Sequence, residues 1–320
     1  MRIKKILLSF LFLGGIFFSQ SVLAEGGMAL GISPAVFEIT ANQGEVIENI
    51  IRVNNPTDNI VNIKMTAEDI EPSGEQGNVI VKNPGTESYS IASWIKCDPE
   101  TFQLNPREER KVKFTITVPQ NAEPGGHYGT VVAGPNVVAS SSVTGAAIVP
   151  RVGAVILINL PGERKEQIIV KDFYTQIKNS KKSGPEAFFK TNFFQYPPVG
   201  FAAKFENKGT VHIKPGASIV ITNWFGQKVD QIELPAQNVL PNATRIISTE
   251  WNGSSFNFGR YTATLAGAFG TYNTPLSSSN IIFWIFPIKE ILIALAIIIF
   301  FIFTRKRWWT ALKIILTGKK

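Results

Sequence analysis

The 320-residue sequence predicts an all-β fold: two tandem immunoglobulin-like β-sandwiches followed by one carboxy-terminal transmembrane α-helix. Three observations carry this. Short stretches alternate apolar and polar residues with period two, and no convincing amphipathic helical pattern competes with them. Gly, Pro, Asn and Asp punctuate these stretches about every ten residues. A weak internal repeat gives both halves the same order of strands and turns.

At the amino terminus, Arg2, Lys4 and Lys5 precede an apolar run from Ile6 to Phe18 and a small-residue exit at Val22-Leu23-Ala24. This is the pattern of a secretory signal peptide, residues 1–24, cleaved between Ala24 and Glu25; the run is too short to span a bilayer comfortably, so a retained anchor is the lesser reading. No Cys follows the cleavage site, which gives no support to a lipid-modified amino terminus.

The first sandwich is expected over 25–162. In Ile60 to Ala67, the residues Val61, Ile63, Met65 and Ala67 share one face and Asn62, Lys64 and Thr66 the other; Val112, Phe114, Ile116 and Val118 alternate likewise with Lys111, Lys113, Thr115 and Thr117. These are half-buried antiparallel strands. Residues 139–145 (ASSSVTG) resemble a linker, but 146–160 is a strand-forming run, so the boundary falls near Pro161-Gly162 and the Ser-rich stretch becomes a long hairpin loop. The second sandwich, 163–279, repeats the alternation at Phe201, Ala203 and Phe205 and at Tyr261, Ala263 and Leu265.

The repeat sets FQLNPREERKVKFTI and PGGHYGTVVAG against NVLPNATRIISTEW and FGRYTATLAG. Leu104, Pro106 and Arg110 match Leu240, Pro241 and Arg245, and Tyr128 matches Tyr261. Two copies of one sandwich fit this order, and each tyrosine is expected to act at a corner, its hydroxyl bonding backbone near the preceding turn.

Residues 281–304 are expected to span a membrane, because the 23 residues from Ile281 to Phe303 would reach about 34 Å as a helix. Lys289 and Glu290 interrupt this run. Pro287 would open the helix and leave that pair in the first turn at the outer interface, with Ile281 to Phe286 along the headgroups; a functional intramembrane ion pair is the alternative. The tail 305–320 carries Arg305, Lys306, Arg307, Lys313, Lys319 and Lys320 and no acid, which places it in the cytoplasm. Lys289, Arg305, Lys306, Arg307, Trp308 and Trp309 are the expected membrane-interface anchors.

Of 32 Lys and Arg, 3 lie in the signal and 6 in the tail, which leaves 23 against 24 acids between Glu25 and Glu290. The net charge of +8 is therefore topology information, and a nucleic-acid partner is not implied. The single cysteine, Cys97, excludes an internal disulfide framework and reads as a small buried hydrophobe.

Catalytic raw material is thin. His127 sits in the glycine-rich PGGHYG segment and reads as a polar turn residue; His212, between Val211 and Ile213, reads as the solvent face of a strand. Neither has a neighbour at metal-ligand spacing, so no metal site and no cofactor are expected, and an enzyme is not. The acidic 68–75 segment lacks a calcium-loop pattern. Tyr89, Trp94 and His127 are the weak ligand-contact candidates, Trp94 more readily packing on the core than stacking on a sugar.

The segments SPAVFEITANQGEVIENIIRVNNPTDNIVNIKM, FQLNPREERKVKFTITVPQNAEPGGHYGTVVAG and VGAVILINLPG, roughly 31–162, resemble the amino-terminal peptidoglycan-binding domain of bacterial WxL-interacting proteins. That resemblance implies a first domain contacting cell-wall glycan and a second contacting a surface protein, and carries over no specific binding residue. A looser likeness to periplasmic pilus chaperones rests on the same turn and strand grammar. The expected function is a single-pass, cell-surface binding or scaffold protein for wall glycan or another surface protein, its ectodomain outside and its tail in the cytoplasm; the alternative is a membrane-tethered assembly chaperone that offers a strand edge to secreted subunits.

Overall fold

In a computed structural model the described residues are 30–85, 89–136, 150–178, 182–184, 187–254 and 257–317, the side chains of 306–317 excepted. The expected signal peptide with its Ala24–Glu25 cleavage site, the Ser-rich 139–145 stretch and the side chains of Lys306, Arg307, Trp308 and Trp309 lie outside them.

The first domain holds β1 (Gly31–Ser33), β2 (Val36–Thr40), β3 (Val46–Asn54), β4 (Val61–Ser73), β5 (Asn78–Lys82), β6 (Ile95–Asp98), β7 (Thr101–Leu104), β8 (Glu109–Thr117), β9 (Gly125–Pro135) and β10 (Val152–Leu160). One sheet runs β1-β3-β8-β6; the other runs β2-β10-β9-β4-β5, with β7 also on β4. The second domain holds β11 (Ile168–Lys178), β12 (Phe188–Lys190), β13 (Phe193–Phe194), β14 (Val199–Asn207), β15 (Gly216–Asn223), β16 (Lys228–Glu233), β17 (Thr244–Trp251), β18 (Gly259–Phe269), β19 (Thr274–Pro275) and β20 (Ser279–Ile285). Its sheets run β12-β11-β14-β17 and β13-β20-β18-β15-β16.

The five-strand orders match, β2 lying parallel to β10 as β13 lies parallel to β20, and β1-β3-β8 matches β11-β14-β17, with β6 and β12 added at opposite edges; every other pairing in the main sheets is antiparallel. Between the sheets of each domain lies one core. Ile51, Val112, Phe114, Ile116 and Ile156 fill the first, while Phe201, Phe205, Ile219, Trp251 and Phe283 fill the second.

The repeat extends to the backbone. Arg107 after Pro106 and Asn242 after Pro241 both adopt left-handed conformations, at φ 60° and 56°, the geometry that a type II turn places after a Pro at its second position. A buried asparagine organises each copy of this corner. Asn55 Nδ2 donates to the carbonyls of Asn59 and Asn105 at 2.7 and 3.0 Å, and Asn207 Nδ2 to those of Val211 and Val239, both at 2.8 Å. Each Oδ1 accepts the amide two residues on, from Thr57 and Gly209. Buried amides survive because all their polar atoms find partners.

The expected span 281–304 is corrected. Ile281 to Ile285 belong to β20, hydrogen-bonded along β18, with Phe283 and Ile285 in the second core. Alternating burial won over the continuous apolar composition. The helix α1 is Ile288–Thr317, opening just after Pro287. Among the described residues no helix is long and apolar enough to cross a membrane. Within α1 the residues Ile291 to Phe303 form an apolar run of 13 residues, exposed on every face.

Candidate functional site

The seven residues from Pro161 to Gln167 join the domains and are held by the second one: Lys165 N–H donates to Thr210 Oγ1 at 3.0 Å, and Lys208 N–H to the Gln167 carbonyl at 2.9 Å. Several contacts then cross the junction, among them the Gly126 N–H donating to the Thr210 carbonyl at 3.3 Å. Tyr128 Oη accepts the N–H of His212 at 2.7 Å, and the two rings meet edge to face at 5.7 Å. Lys214 Nζ donates to both oxygens of Glu38, at 2.6 and 2.8 Å, and Asn238 Nδ2 adds a bond of 2.8 Å. The β4–β5 hairpin reaches across the junction: Glu75 pairs with Lys204, and its carbonyl accepts Ile246 N–H at 2.7 Å.

These clamps leave a cleft of about 330 Å³ between the domains. Its floor is the outer face of the β2-β10-β9-β4-β5 sheet, where Val36, Val79, Val155 and Leu157 are apolar; Val239 and Leu240 of the second domain form the facing wall. The apolar part continues a small cluster of Ile70, Tyr128 and Leu157, packed by Tyr89 and Leu240 and separate from either core. Its rim is polar and charged: Glu38, Asn78, Lys214, Asn238 and Arg245.

Hydrogen bonding to Lys214 holds the Glu38 carboxyl below its usual range, and Asn238 adds to it. Arg245 donates Nη1–H to the Asn238 carbonyl at 2.6 Å, while its Nε is buried and has no hydrogen-bond partner among the described residues. Burial lowers the pKa of that guanidinium. Gly77, at φ +77°, lies against it, so that a β-carbon there would come within 2.3 Å of Arg245 Cζ. Burial also lowers His212 and raises the Tyr128 phenol. The cleft therefore combines an apolar floor with fixed donors and acceptors, the composition of a binding site.

The ligand-contact candidates read from the sequence do not converge on one platform. His127 lies in β9, buried, rather than in a turn, its Nε2 2.8 Å from the Glu123 carbonyl. Its ring packs at 4.8 Å on the half-buried Trp94 on the inner side of the sheet. Successive strand residues face opposite ways, so Tyr128 stands on the outer side, where Tyr89 meets it at 5.7 Å. His212 is not on a solvent-facing strand but at the junction. Tyr261 Oη bonds Phe258 N–H at 3.2 Å, the corner role expected of it, whereas Tyr128 bonds the other domain. Lys289 and Arg305 lie in the helix, both exposed. Cys97 is buried in the first core, and burial pushes its thiol up to about 11.

No family model matches the chain, and no curated protein does. Solved structures similar to it include the Class 5 fimbriae chaperone CfaA, at 14% identity over 81% of this chain and 100% of that one with a TM-score of 0.35. A chaperone–tip adhesin complex of CFA/I fimbriae is similar at 13% identity over 80% and 98%, TM-score 0.36. The E. coli chaperone DraB is similar at 9% over 79% and 96%, TM-score 0.35. At these identities and TM-scores, all below 0.5, the likeness carries no conclusion about this chain. The class defined is a mostly β protein of two immunoglobulin-like domains. The expected kinship with WxL-interacting proteins is corrected: no family model matches the chain. The motifs behind that resemblance build turns and core, the Pro106–Arg107 turn and the strand β8 among them, and such residues are shared by sandwiches of unlike function.

Proposed function

We propose that this chain is a membrane-tethered, outward-facing assembly chaperone: it holds a segment of another surface or secreted protein in the cleft between its two sandwiches, and does so without catalysis. The observation that carries the reading is the junction itself, where a cleft of about 330 Å³ with an apolar floor is rimmed by Glu38, Lys214, Asn238 and the under-bonded Arg245. An extended peptide supplies what such a cleft takes, apolar side chains for the floor and main-chain polar groups for the rim.

The tether is supported by α1. The run Ile291 to Phe303 alone measures about 20 Å, less than a bilayer core of about 30 Å. Lys289 and Arg305 flank it, and long basic side chains reach headgroups from within the hydrocarbon edge, which extends the usable length at both ends. The six basic residues from Arg305 onward favour a cytoplasmic tail.

A photo-crosslinking residue placed at Val36, in the cleft, of the full chain in its native cell tests the reading. A discrete protein adduct from Val36, absent from the more exposed Val46 on β3, is expected. Adducts from both positions alike, or from neither, would remove the cleft from consideration.

A further inference from the structure

We infer that the helix-proximal end of the second domain docks on the lipid interface, as an aromatic collar around the start of α1; this rests on the tethered reading above. The first domain has no exposed aromatic side chain among its described residues, whereas the second has, besides Phe188 and Phe189 on β12 and Tyr272 beyond the far end of β18, five on turns or edges: Phe193, Tyr196, Trp224, Phe225 and Phe258. Strand register places all five at one end. Asn223 pairs with Tyr261, and Tyr261 with Phe283, so the β15–β16 turn carrying Trp224 and Phe225 stands level with Trp284 and Ile285, just before the helix. That turn is two strand steps, roughly 10 Å, from β20. On the opposite side Phe193 pairs with Trp284. Phe258 packs edge-on against Phe286 at 5.2 Å, and Tyr196 donates to the Glu290 carboxylate in the first turn of α1.

The exposure is large. Trp224 is 69% and Phe225 73% exposed, and the two rings touch mainly each other, at 4.7 Å. Water is a poor environment for a paired indole and phenyl at a hairpin tip. The headgroup layer suits aromatic rings, which combine an apolar body with a polarisable or polar edge. The exposed apolar helix leaves from the middle of this ring of side chains, and between it and Phe193 runs an apolar groove lined by Phe286, Ile288, Ile291 and Leu292. The collar is thus continuous with the surface that the tether would insert. The occupant is the outer leaflet of the bilayer, and the consequence is a second domain held close to the membrane, with the cleft facing away from it at the far end of that domain.

The test uses the full chain with Cys97→Ala, carrying a single fluorescent label at a new cysteine, in phosphatidylcholine–phosphatidylglycerol vesicles with spin-labelled lipid. Three label sites are compared: Phe225→Cys at the collar, Leu295→Cys in α1, and Tyr272→Cys, which is 89% exposed beyond the opposite end of β18. The three label sites replace exposed side chains, and the shared Cys97→Ala removes a single sulfur atom from the first core. Expected are loss of emission at position 295 with a mid-chain quencher, loss at 225 with a headgroup-proximal quencher, and none at 272. Quenching at 295 without quenching at 225 would overturn the collar and leave the tether standing. Equal quenching at 225 and 272 would also overturn it, as non-specific adsorption. No quenching at 295 would overturn the tether and the collar with it.

Discussion

Replacing Tyr128 with Phe keeps the ring in the junction and removes one oxygen. That oxygen accepts the His212 N–H at 2.7 Å, in a setting where Tyr128 is 2% exposed and His212 is largely covered. Deleting one partner of a buried hydrogen bond leaves the other unsatisfied, at a cost of about 1–3 kcal/mol. The variant also no longer buries a hydroxyl, so the lower half of that range, about 1–2 kcal/mol, is expected. With a urea dependence of about 1–3 kcal/mol per molar, the midpoint of the junction-dependent transition falls by roughly 0.3–2 M. The assay is urea unfolding of the detergent-solubilised full chain, with proteolysis of the 161–167 linker read in parallel. Tyr261→Phe is the control, since Tyr261 bonds Phe258 of its own domain at 3.2 Å. If Tyr128→Phe moves the midpoint no further than the control and leaves the linker uncut, the junction is not held by this bond.

Acid should loosen the same junction. His212 is depressed by burial, so the unfolded chain takes the proton first and stability falls as pH drops below about 6.5. Glu38, also depressed, contributes stability above its ordinary value near 4.5 that is lost below it, in the same direction. A urea midpoint that stays level between neutral pH and about pH 5 would contradict the burial of His212. Cys97, with a thiol pushed up to about 11, should resist alkylation in the native protein and react only on unfolding; rapid native labelling would show the first core to be open. Gly77→Ala forces a β-carbon onto the Arg245 guanidinium at a left-handed position and should destabilise by about 1–2 kcal/mol while abolishing Val36 crosslinks. Unchanged crosslinking would mean that this hairpin does not shape the cleft.

Strand grammar was readable because one face of each strand is buried. Val61, Ile63 and Met65 are buried and Asn62 and Lys64 exposed, as period-two alternation demands. The repeat was readable because a turn with Pro followed by a left-handed residue leaves few substitutes. Beyond the strands, composition misled at β20, where IIFWI has the apolarity of a membrane span and the pairing of a core strand; five residues do not distinguish the two. The junction was not readable at all. Tyr128 and Tyr261 occupy equivalent positions in the repeat, yet one hydroxyl serves its own corner and the other the neighbouring domain. Only the relative placement of the domains separates them. Lys214 and Glu38 stand far apart in the chain, and no local signal links them. The packed pair Trp94 and His127 illustrates the converse: residue types suited to ligand contact were drawn into the first domain's own packing.

The β4–β5 hairpin has a further consequence, for modularity. β17 is the outermost strand of its sheet, and an unprotected outer strand invites pairing with another chain. Here Ile246, on that strand, gives its N–H to Glu75 of the first domain, while Lys204 on the adjacent strand is neutralised by the same residue. Each sandwich has its own core, but the second borrows part of its protection from the first. Separated at the linker, the second domain would lose that guard and expose a sticky border.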